Sequence, residues 1–172
     1  MSLPPEPVVC ALYTTEAKDL PMVSVDEVSA VAGRGLVGDR YYNKTGFYSN
    51  IVGWGAQVTL IQDEAIQAVN VGHSTAFTGS MLRRNIVTRN IKLDLLIGKT
   101  FSCGTAILRG TKLFPPCTHL AQLLGKPQVL RYFAYCGGIG AEVIAGGEIK
   151  THDRITIIQS QTPSNANGTG IG

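Results

Sequence analysis

The sequence has little charge for its length, and it has no apolar run long enough to cross a membrane. Only 16% of its 172 residues are charged and 44% are hydrophobic. This balance argues against disorder and for a compact body with a buried core, and the length fits one domain. The N-terminus also lacks the basic, apolar and cleavage regions of a signal peptide. We therefore expect a single domain in the cytoplasm and no contact with a membrane.

Cysteine pairs at metal-binding or redox spacing are also missing. Cys10, Cys103, Cys117 and Cys136 are widely scattered and form no C-x-x-C motif, so neither a disulfide framework nor a zinc knuckle is indicated. The net charge of +3 permits anionic partners. However, the sequence has no dense basic stripe with interleaved aromatic residues, which is typical of nucleic-acid binding. A small anionic ligand is therefore a better expectation than nucleic acid.

Nucleotide-binding loops are excluded by the residues on the C-terminal side of the glycines. Residues 33–38 match G-x-G-x-x-G, but residues 39–43 do not continue as the helix that a dinucleotide site needs. The segment also lacks the Gly-Lys-Ser/Thr ending of a phosphate-binding P-loop. We expect a tight turn with Asp39 at its end. Asp39 either binds backbone amides there or helps to line a pocket, and the sequence leaves both roles open.

The patterns that are present are mostly those of short strands. Short strands at close spacing favour a mainly β, barrel-like fold over alternating βαβ units. The segments are a strand at 8–13, a strand at 57–61 followed by a helix from Asp63, a strand at 100–108, and three runs at 142–145, 148–150 and 154–158 that resemble successive hairpins. Residues 1–7 and 159–172 carry no periodic pattern. We therefore predict a flexible leader over 1–7, a domain over 8–158 and a mobile tail over 159–172.

Cys117 combines a thiol, a stiff approach and the start of a helix. Pro115 and Pro116 fix their own backbone and favour an extended chain up to the cysteine. Thr118 is predicted to cap a short helix that stops at Gly125. Cys117 would then lie just outside the helix N-terminus, where partial positive charge favours a thiolate and free amides favour an anion. Such a thiolate can bind a metal, attack a substrate or carry sulfur.

A second interpretation of Cys117 is equally open, because free cysteines are often small buried hydrophobes. His119 does not decide between the two, since residues two apart share a face only in an extended chain. We expect His119 to point away as a surface histidine. A cysteine protease would need a base paired with the thiol, and no histidine in the sequence is marked for that task.

Arg83 and Arg84 precede a β-like run, in which successive side chains face opposite sides. We therefore expect at most one of them to face a pocket. The planar guanidinium fork is suited to phosphate or carboxylate. The alternative is that these charged side chains lie on an edge strand and prevent it from pairing with another chain.

Several segments, taken in order along the chain, resemble one family, the MOSC domain (molybdenum cofactor sulfurase C-terminal domain), in its standalone bacterial form. The resemblance runs from about Val8 to Ile158. It is carried by the segments at 35–41 (Gly-Leu-Val-Gly-Asp-Arg-Tyr), 57–61 (Gln-Val-Thr-Leu-Ile), 84–86 (Arg-Asn-Ile), 96–99 (Leu-Ile-Gly-Lys), 116–117 (Pro-Cys) and 137–141 (Gly-Gly-Ile-Gly-Ala).

The resemblance implies a cleft that handles molybdenum cofactor (molybdopterin) or sulfur. It places Cys117 as the thiolate ligand of molybdenum or as a sulfur carrier. It also implies that Arg83 or Arg84 faces the pterin phosphate, while Asp39 and Asn85 shape the pocket. Some standalone members resemble parts of reductases that act on N-hydroxylated compounds. The expected partners are therefore a small anionic cofactor or substrate and a redox or sulfur-donor protein.

Two other functions remain open at this point. The domain could be a non-catalytic binding module for a small anionic metabolite, in which Cys117 is inert. It could also be an interaction domain that docks a partner through exposed strands or through the glycine hinge at residues 136–141, with an inert pocket.

Overall fold

The structure is a computed structural model that describes residues 2–158, and strands are its main regular elements. The described strands are β1 (Val8–Thr14), β2 (Val23–Val25), β3 (Glu27–Val31), β4 (Gly35–Leu36), β5 (Val58–Gln62), β6 (Ile86–Arg89), β7 (Thr100–Cys103), β8 (Ala106–Leu113), β9 (Ile139–Ala145), β10 (Gly147–Lys150) and β11 (Ile155–Ile157). The mainly β fold class is thus confirmed. The tail predicted over 159–172 lies outside the described residues.

The helices are short and lie between the strands. They are α1 (Arg40–Asn43), α2 (Asp63–His73), α3 (Thr118–Leu124) and α4 (Val129–Tyr132), with a 3₁₀ turn at Leu93–Leu96. Within residues 2–158, none of them has the length and apolar character needed to cross a membrane. The strand at 57–61 and the helix from Asp63 were predicted correctly, apart from a shift of one residue in the strand bounds.

The strands form two sheets. The larger has eight strands in the order β11-β7-β8-β9-β5-β6-β1-β2, and the smaller has the order β10-β3-β4. Neighbouring strands are antiparallel except β5 and β6, which run parallel. Near one end of the large sheet, Val9 donates to the Asp153 carbonyl at 2.9 Å and accepts from the His152 amide at 2.8 Å. This contact brings β1 close to the chain before β11, but it does not pair the end strands, so a closed barrel is not confirmed.

The central strands are apolar on both faces because they separate two hydrophobic clusters. Leu60 and Ile86 belong to a cluster between the two sheets, whereas Ile61 and Val87 belong to a cluster under the helices. Successive side chains of a strand point to opposite faces, so neighbours in sequence reach different clusters. Phe133 is fully buried in the second cluster and ties the segment after Cys117 to the sheet.

The strand predicted over 100–108 is wrong, because the structure has a hairpin there. β7 ends at Cys103 and β8 begins at Ala106, and Gly104 lies between them with φ +59°. A side chain at this glycine would also overlap the Glu148 carbonyl oxygen, so the tight turn requires glycine. Cys103, at the end of β7, is fully buried in the core.

The successive hairpins predicted over 142–158 are also wrong. β9 pairs with β8 and β5, β10 pairs with β3 in the other sheet, and β11 pairs with β7. Gly146 allows the chain to leave one sheet for the other, because a Cβ at this position would lie only 2.9 Å from the Ala30 carbonyl oxygen. Three short strands in a row therefore have three different sets of partners.

The glycine motif at 33–38 forms a hairpin between β3 and β4. No helix was predicted over 39–43, but the one-turn helix α1 forms at Arg40–Asn43. Asp39 is its N-cap, and its Oδ2 accepts from the Tyr41 amide at 3.2 Å. Because the flanking strands are antiparallel, the loop differs from the strand-to-helix turn of a dinucleotide site.

Candidate functional site

A cavity of about 220 Å³ opens where β8 leads into the segment that carries Cys117. Its walls come from three parts of the chain that are distant in sequence. The lining residues are Lys18, Arg40, Tyr41, Phe47, Tyr48, Trp54, Leu82, Arg83, Arg84, Lys112, Leu113, Phe114, Pro115, Pro116, Cys117, His119 and Leu120. The structure therefore brings three of the predicted site residues, Arg83, Arg84 and Cys117, to one cavity.

Cys117 is half-buried on the cavity wall, at the start of α3. It is itself the N-cap residue, with extended backbone (φ −116°, ψ 168°), and Thr118 is the first helical residue. The predicted cap at Thr118 is therefore wrong by one position. The helix then stops at Gly125, as predicted, and this C-cap glycine has a left-handed backbone with φ 60°. The role of Cys117 as a ligand or sulfur carrier stays a prediction.

Tyr48 is the polar neighbour of the thiol. Burial raises the pKa of the Tyr48 phenol, and a hydrogen bond with the Cys117 side chain raises it further. The phenol therefore keeps its proton at neutral pH and can donate it in a hydrogen bond to sulfur. Sequence reasoning missed Tyr48, because it lies in a loop without periodic pattern.

Arg84 is buried in the wall of the same cavity, and carbonyl oxygens hold all three of its nitrogens. Nε donates to the Gly137 carbonyl at 2.8 Å, Nη1 to Leu82 at 2.8 Å and Nη2 to Phe114 at 2.7 Å. The side chain thus ties the segment before Cys117 to the glycine hinge. Burial lowers the pKa of Arg84 to about 10, so the group stays charged at neutral pH. Within residues 2–158 it forms no ion pair with a carboxylate.

Arg83 also lines the cavity, and the prediction that at most one of the two arginines does so is wrong. Strand alternation does not apply, because β6 begins only at Ile86 and Arg83 has a left-handed backbone with φ 58°. Nη1 donates to the Leu20 carbonyl at 2.6 Å, and Nη2 donates to Ala17 at 3.3 Å and Lys18 at 2.6 Å. Burial is the main cause that lowers the pKa of Arg83 from its ordinary value.

Asp39 lies behind the cavity wall and not on it. It is fully buried, and its Oδ1 accepts from the Thr15 amide at 3.2 Å, Asn85 Nδ2 at 2.9 Å and Arg40 Nη1 at 3.2 Å. Its other oxygen caps α1 through the Tyr41 amide. With these partners, the carboxylate is fully used within the protein, and direct contact with a cofactor stays a prediction.

Asn85 is fully buried next to Asp39 and joins three segments of backbone. Its Oδ1 accepts from the Thr59 amide and hydroxyl at 3.0 Å each, and its Nδ2 donates to the Tyr13 carbonyl at 3.1 Å. The network reaches the cavity through Arg40, whose Nη2 donates to the Arg83 carbonyl at 2.9 Å, and through the Tyr41 amide that Asp39 binds. The position of Asn85 is therefore that of a support for the wall.

Aromatic rings form a further part of the cavity wall. Tyr48 and Trp54 are stacked with ring centroids 4.0 Å apart, and Phe114 meets Trp54 edge-on at 5.9 Å. His119 stacks on Phe47 at 4.2 Å and lines the cavity, which corrects the expectation that it points away. Trp54 stands between two glycines in the sequence, and a glycine-flanked tryptophan was a signal that sequence reasoning did not use.

Among residues 2–158, every ionised side chain on the cavity wall is a cation. These are Lys18, Arg40, Arg83, Arg84 and Lys112, and the described lining residues include no carboxylate. Within this part of the chain, only Arg40 forms an ion pair with a carboxylate, that of Asp39. A cavity with this balance attracts an anion, since fixed charges of one sign in a cleft raise the local concentration of the opposite sign.

A metal at Cys117 would not find a complete ligand set in the described part of the chain. Residues 2–158 contain no group of three or more histidine, cysteine, aspartate or glutamate side chains that could hold a metal ion. A metal bound there would have to bring its other ligands with it.

The family model of the MOSC domain matches residues 48–156, and this chain belongs to the MOSC domain family. The resemblance found in the sequence is thereby confirmed. The match includes Arg83, Arg84, Asn85 and Cys117 and begins after Asp39. No curated protein matches the chain.

Solved structures support the same fold. The YUAD protein from Bacillus subtilis superimposes with a TM-score of 0.73 at 17% identity, over 90% of this chain and 97% of that one. YiiM from Geobacillus stearothermophilus gives 0.67 at 14% identity, over 89% and 75% of the two chains. YiiM from Escherichia coli gives 0.66 at 16% identity, over 90% and 71%. At these identities the likeness concerns the fold alone.

Proposed function

We propose that this domain binds molybdenum cofactor, or sulfur destined for it, at Cys117. The family is associated with molybdenum cofactor sulfurase domains. The observation that carries the proposal is the position of Cys117. It is the one thiol on the wall of a cavity whose ionised lining residues, in the described part of the chain, are all cations.

The residues present fit such a cofactor. The thiol is a soft ligand of the kind that binds soft metal centres, and the aromatic residues of the cavity wall give apolar surface to a heterocycle. The cations suit a phosphate. The cavity is smaller than the roughly 300–1,000 Å³ of typical ligand sites, so part of a cofactor would lie at its open mouth.

Each residue then has a definite task. When bound, the cofactor would supply two-electron redox chemistry at its metal. Cys117 would ligate that metal, and the Tyr48 hydroxyl would donate to its sulfur. Arg84 holds the segment before Cys117 through the Phe114 carbonyl and contributes positive charge. Asp39 and Asn85 act indirectly, by fixing Arg40 and the backbone of Arg83.

As a sulfur carrier, Cys117 would react with a persulfide on a donor protein. Its sulfur attacks the terminal sulfur of the donor, a new sulfur–sulfur bond forms and that of the donor breaks. The donor thiolate leaves and takes up the proton that Cys117 loses. The step exchanges one thiol and one persulfide for another pair, so it needs no oxidant. The surrounding cations would stabilise the resulting persulfide anion.

The experiment that tests the proposal is metal and pterin analysis of protein purified from molybdenum-replete cells. We expect bound molybdenum and pterin in the native chain and their loss in Cys117→Ser. Cys10→Ser is the matched control, because Cys10 is also half-buried but lies on β1 away from the cavity. Equal molybdenum in all three proteins would contradict the role of Cys117 as a ligand.

A second measurement tests sulfur carriage. After incubation with a small persulfide donor, intact mass spectrometry should show one added sulfur atom on the native chain and on Cys10→Ser, but not on Cys117→Ser.

If the native chain retains cofactor, reduction of an N-hydroxylated base with an artificial electron donor tests the reductase role that the family resemblance implies. A native chain that holds neither cofactor nor sulfur would be a binding module of another kind.

A further inference from the structure

Lys112 is one of two cavity cations, together with Lys18, whose ammonium makes no hydrogen bond or ion pair within residues 2–158. Its Nζ lies 3.3 Å from the centroid of the Trp54 ring. No hydrogen-bond acceptor or carboxylate contacts this ammonium within residues 2–158. Burial also lowers the pKa of Lys112, as expected when an ammonium loses water without gaining an acceptor.

A bulge in β8 aims Lys112 into the cavity. The register between β8 and β9 shifts from Gly110 opposite Ala141 to Lys112 opposite Gly140, so Thr111 is an extra residue. Such bulges re-aim side chains and are common next to active sites. The Thr111 hydroxyl donates to the Gly55 and Gly140 carbonyls, at 2.6 and 3.0 Å. The same residue therefore positions Lys112 and the backbone next to Trp54.

Trp54 holds the ammonium on one face of its ring. Its other face is covered by Tyr48, whose ring is stacked at 4.0 Å with an interplanar angle of 13°. Nζ at 3.3 Å from the same centroid would collide with Tyr48 if both lay on one face. The order is therefore Tyr48, Trp54, Lys112. A ligand cannot stack on this ring unless Lys112 moves.

The cation–π contact is the weaker of the two interactions available to Lys112. Such a contact contributes about 0.5–2 kcal/mol, whereas a hydrogen bond between two charged groups contributes about 1.5–3 kcal/mol. An anion in the cavity would therefore draw the ammonium away from the ring. Arg83 and Arg84 lack this freedom, because their nitrogens hold backbone carbonyls that build the wall.

The amount of positive charge indicates which anion fits. Of the lining cations, Lys18, Arg83, Arg84 and Lys112 have no carboxylate partner within the described residues, and only Arg40 is paired. Two of the four are lysines that can follow a ligand, since Lys18 Nζ lies 6.0 Å from the Phe47 ring and also lacks a carboxylate. A dianion compensates this charge better than a monoanion does.

We propose that Lys112 binds the anionic group of the ligand, that this group is a dianion of the phosphate monoester class, and that Lys112 leaves the Trp54 ring to bind it. The inference rests on the proposed function of the cavity as an anion site. It assigns to Lys112 the contact that the sequence had assigned to Arg83 or Arg84.

The test uses phenyl phosphate as a probe, because it joins one ring to one phosphate monoester. Calorimetry measures its affinity, and fluorescence reports on Trp54, which is the only tryptophan in the chain. Excitation at the red edge of tryptophan absorption avoids the probe. The variants are Lys112→Gln, Lys112→Arg and, as the matched control, Lys99→Gln, whose exposed lysine lies off the cavity. Benzenesulfonate serves as the monoanionic probe.

We expect phenyl phosphate to change Trp54 emission in the native chain and to bind at least about tenfold more weakly to Lys112→Gln, the loss of one charge-assisted hydrogen bond. Lys112→Arg should keep most of the affinity, which excludes a folding defect, and Lys99→Gln should match the native chain. Benzenesulfonate should bind more weakly than phenyl phosphate to the native chain.

Equal affinity in the native chain and Lys112→Gln would overturn the inference and leave the cavity as an anion site. Binding without any change in Trp54 emission would overturn the displacement of Lys112 from the ring. Equal affinity for the two probes would overturn the assignment to a dianion. No binding to the native chain at millimolar phenyl phosphate would overturn the inference together with the anion site. Binding to the native chain combined with equal molybdenum in the Cys117→Ser comparison would contradict the proposed function of Cys117 alone.

Discussion

Two neighbouring groups of polar residues in this protein differ in how their charge is balanced. The network around Asp39 and Asn85 pairs a carboxylate with the Arg40 guanidinium and gives each polar atom of the two side chains a partner. The cavity wall around Cys117 has cations whose hydrogen bonds end on neutral carbonyls. The two groups touch through the bond from Arg40 to the Arg83 carbonyl.

This difference distinguishes polar residues that support the fold from polar residues that are available to bind a ligand. A carbonyl satisfies an N–H donor, but it leaves the charge of a buried guanidinium without compensation, and that charge is costly in a medium of low dielectric. The network around Asp39 and Asn85 would not be stabilised by an anionic ligand, because its charges are already paired. The cavity wall around Cys117 would be stabilised, because an anion supplies the missing negative charge. Burial and polarity alone therefore do not distinguish the proposed ligand site from the supporting network, whereas unmatched charge does.

Asp39→Ala should disrupt the charge-balanced network around Asp39 and Asn85 and have the largest effect on stability. The change leaves Arg40 buried without its counter-charge and removes the acceptor of Thr15, Tyr41 and Asn85. We expect a loss of about 3–5 kcal/mol in the free energy of unfolding, measured by urea denaturation. Asp26→Ala, at an exposed aspartate, should stay within about 0.5 kcal/mol. A similar small loss for Asp39→Ala would show that the network does not support the fold.

Arg84→Lys tests the cavity wall around Cys117 without changing the charge of that wall. A lysine ammonium cannot reach all three carbonyls that the guanidinium fork holds, so at least one buried acceptor loses its partner. We expect a loss of about 2 kcal/mol in the free energy of unfolding. Arg131→Lys, at an exposed arginine, is the control and should be close to neutral. Unchanged stability in Arg84→Lys would mean that these carbonyls do not depend on Arg84.

The strands and the family were accessible from sequence because they depend on local patterns. The apolar run of β1 and the polar–apolar alternation that begins β5 are set by their own residues, and both strands were predicted nearly to their ends. The hairpin at Gly104 and the partner of β10 were not, since they depend on close approaches to residues far along the chain. A pattern within a segment carries no information about which strand it will meet.

The site was predicted in part for the same reason. Cys117 could be recognised from its prolines and Arg84 from its place in the family pattern. Tyr48, Trp54 and His119 enter the cavity through a loop and a helix start whose directions no periodicity defines. Lys112 faces inward because of the bulge at Thr111, and a bulge is a property of the pairing between β8 and β9.

Anion binding in the cavity should depend on pH through Lys112. Only the protonated form of Lys112 attracts an anion, and burial lowers the pKa of Lys112 below its ordinary value. Affinity for phenyl phosphate should therefore fall as the pH rises through that lowered pKa, earlier than for an exposed lysine of pKa about 10.4. The full loss should be about tenfold, or about 1.4 kcal/mol. Titration of Lys112→Arg by calorimetry should lack this step, and a step of the same size there would assign it to another group.

Cys117→Ser should have the smallest effect on stability, although it removes the atom on which the proposed function depends. The thiol is half-buried at a cavity wall, and serine keeps its size and is a good N-cap residue. We expect the free energy of unfolding to change by no more than about 0.5 kcal/mol.

In the native chain, Cys117 should react with a thiol reagent in the folded state. Cys103, whose pKa burial raises to about 12, should react only on unfolding. Loss of folded-state labelling in Cys117→Ser assigns the reactive thiol, and slow labelling of Cys117 in the native chain would place it with the inert core cysteines. We therefore expect Cys117, on the cavity wall, to contribute little to stability and to be necessary for the proposed chemistry. For Asp39, in the supporting network, we expect a large contribution to stability.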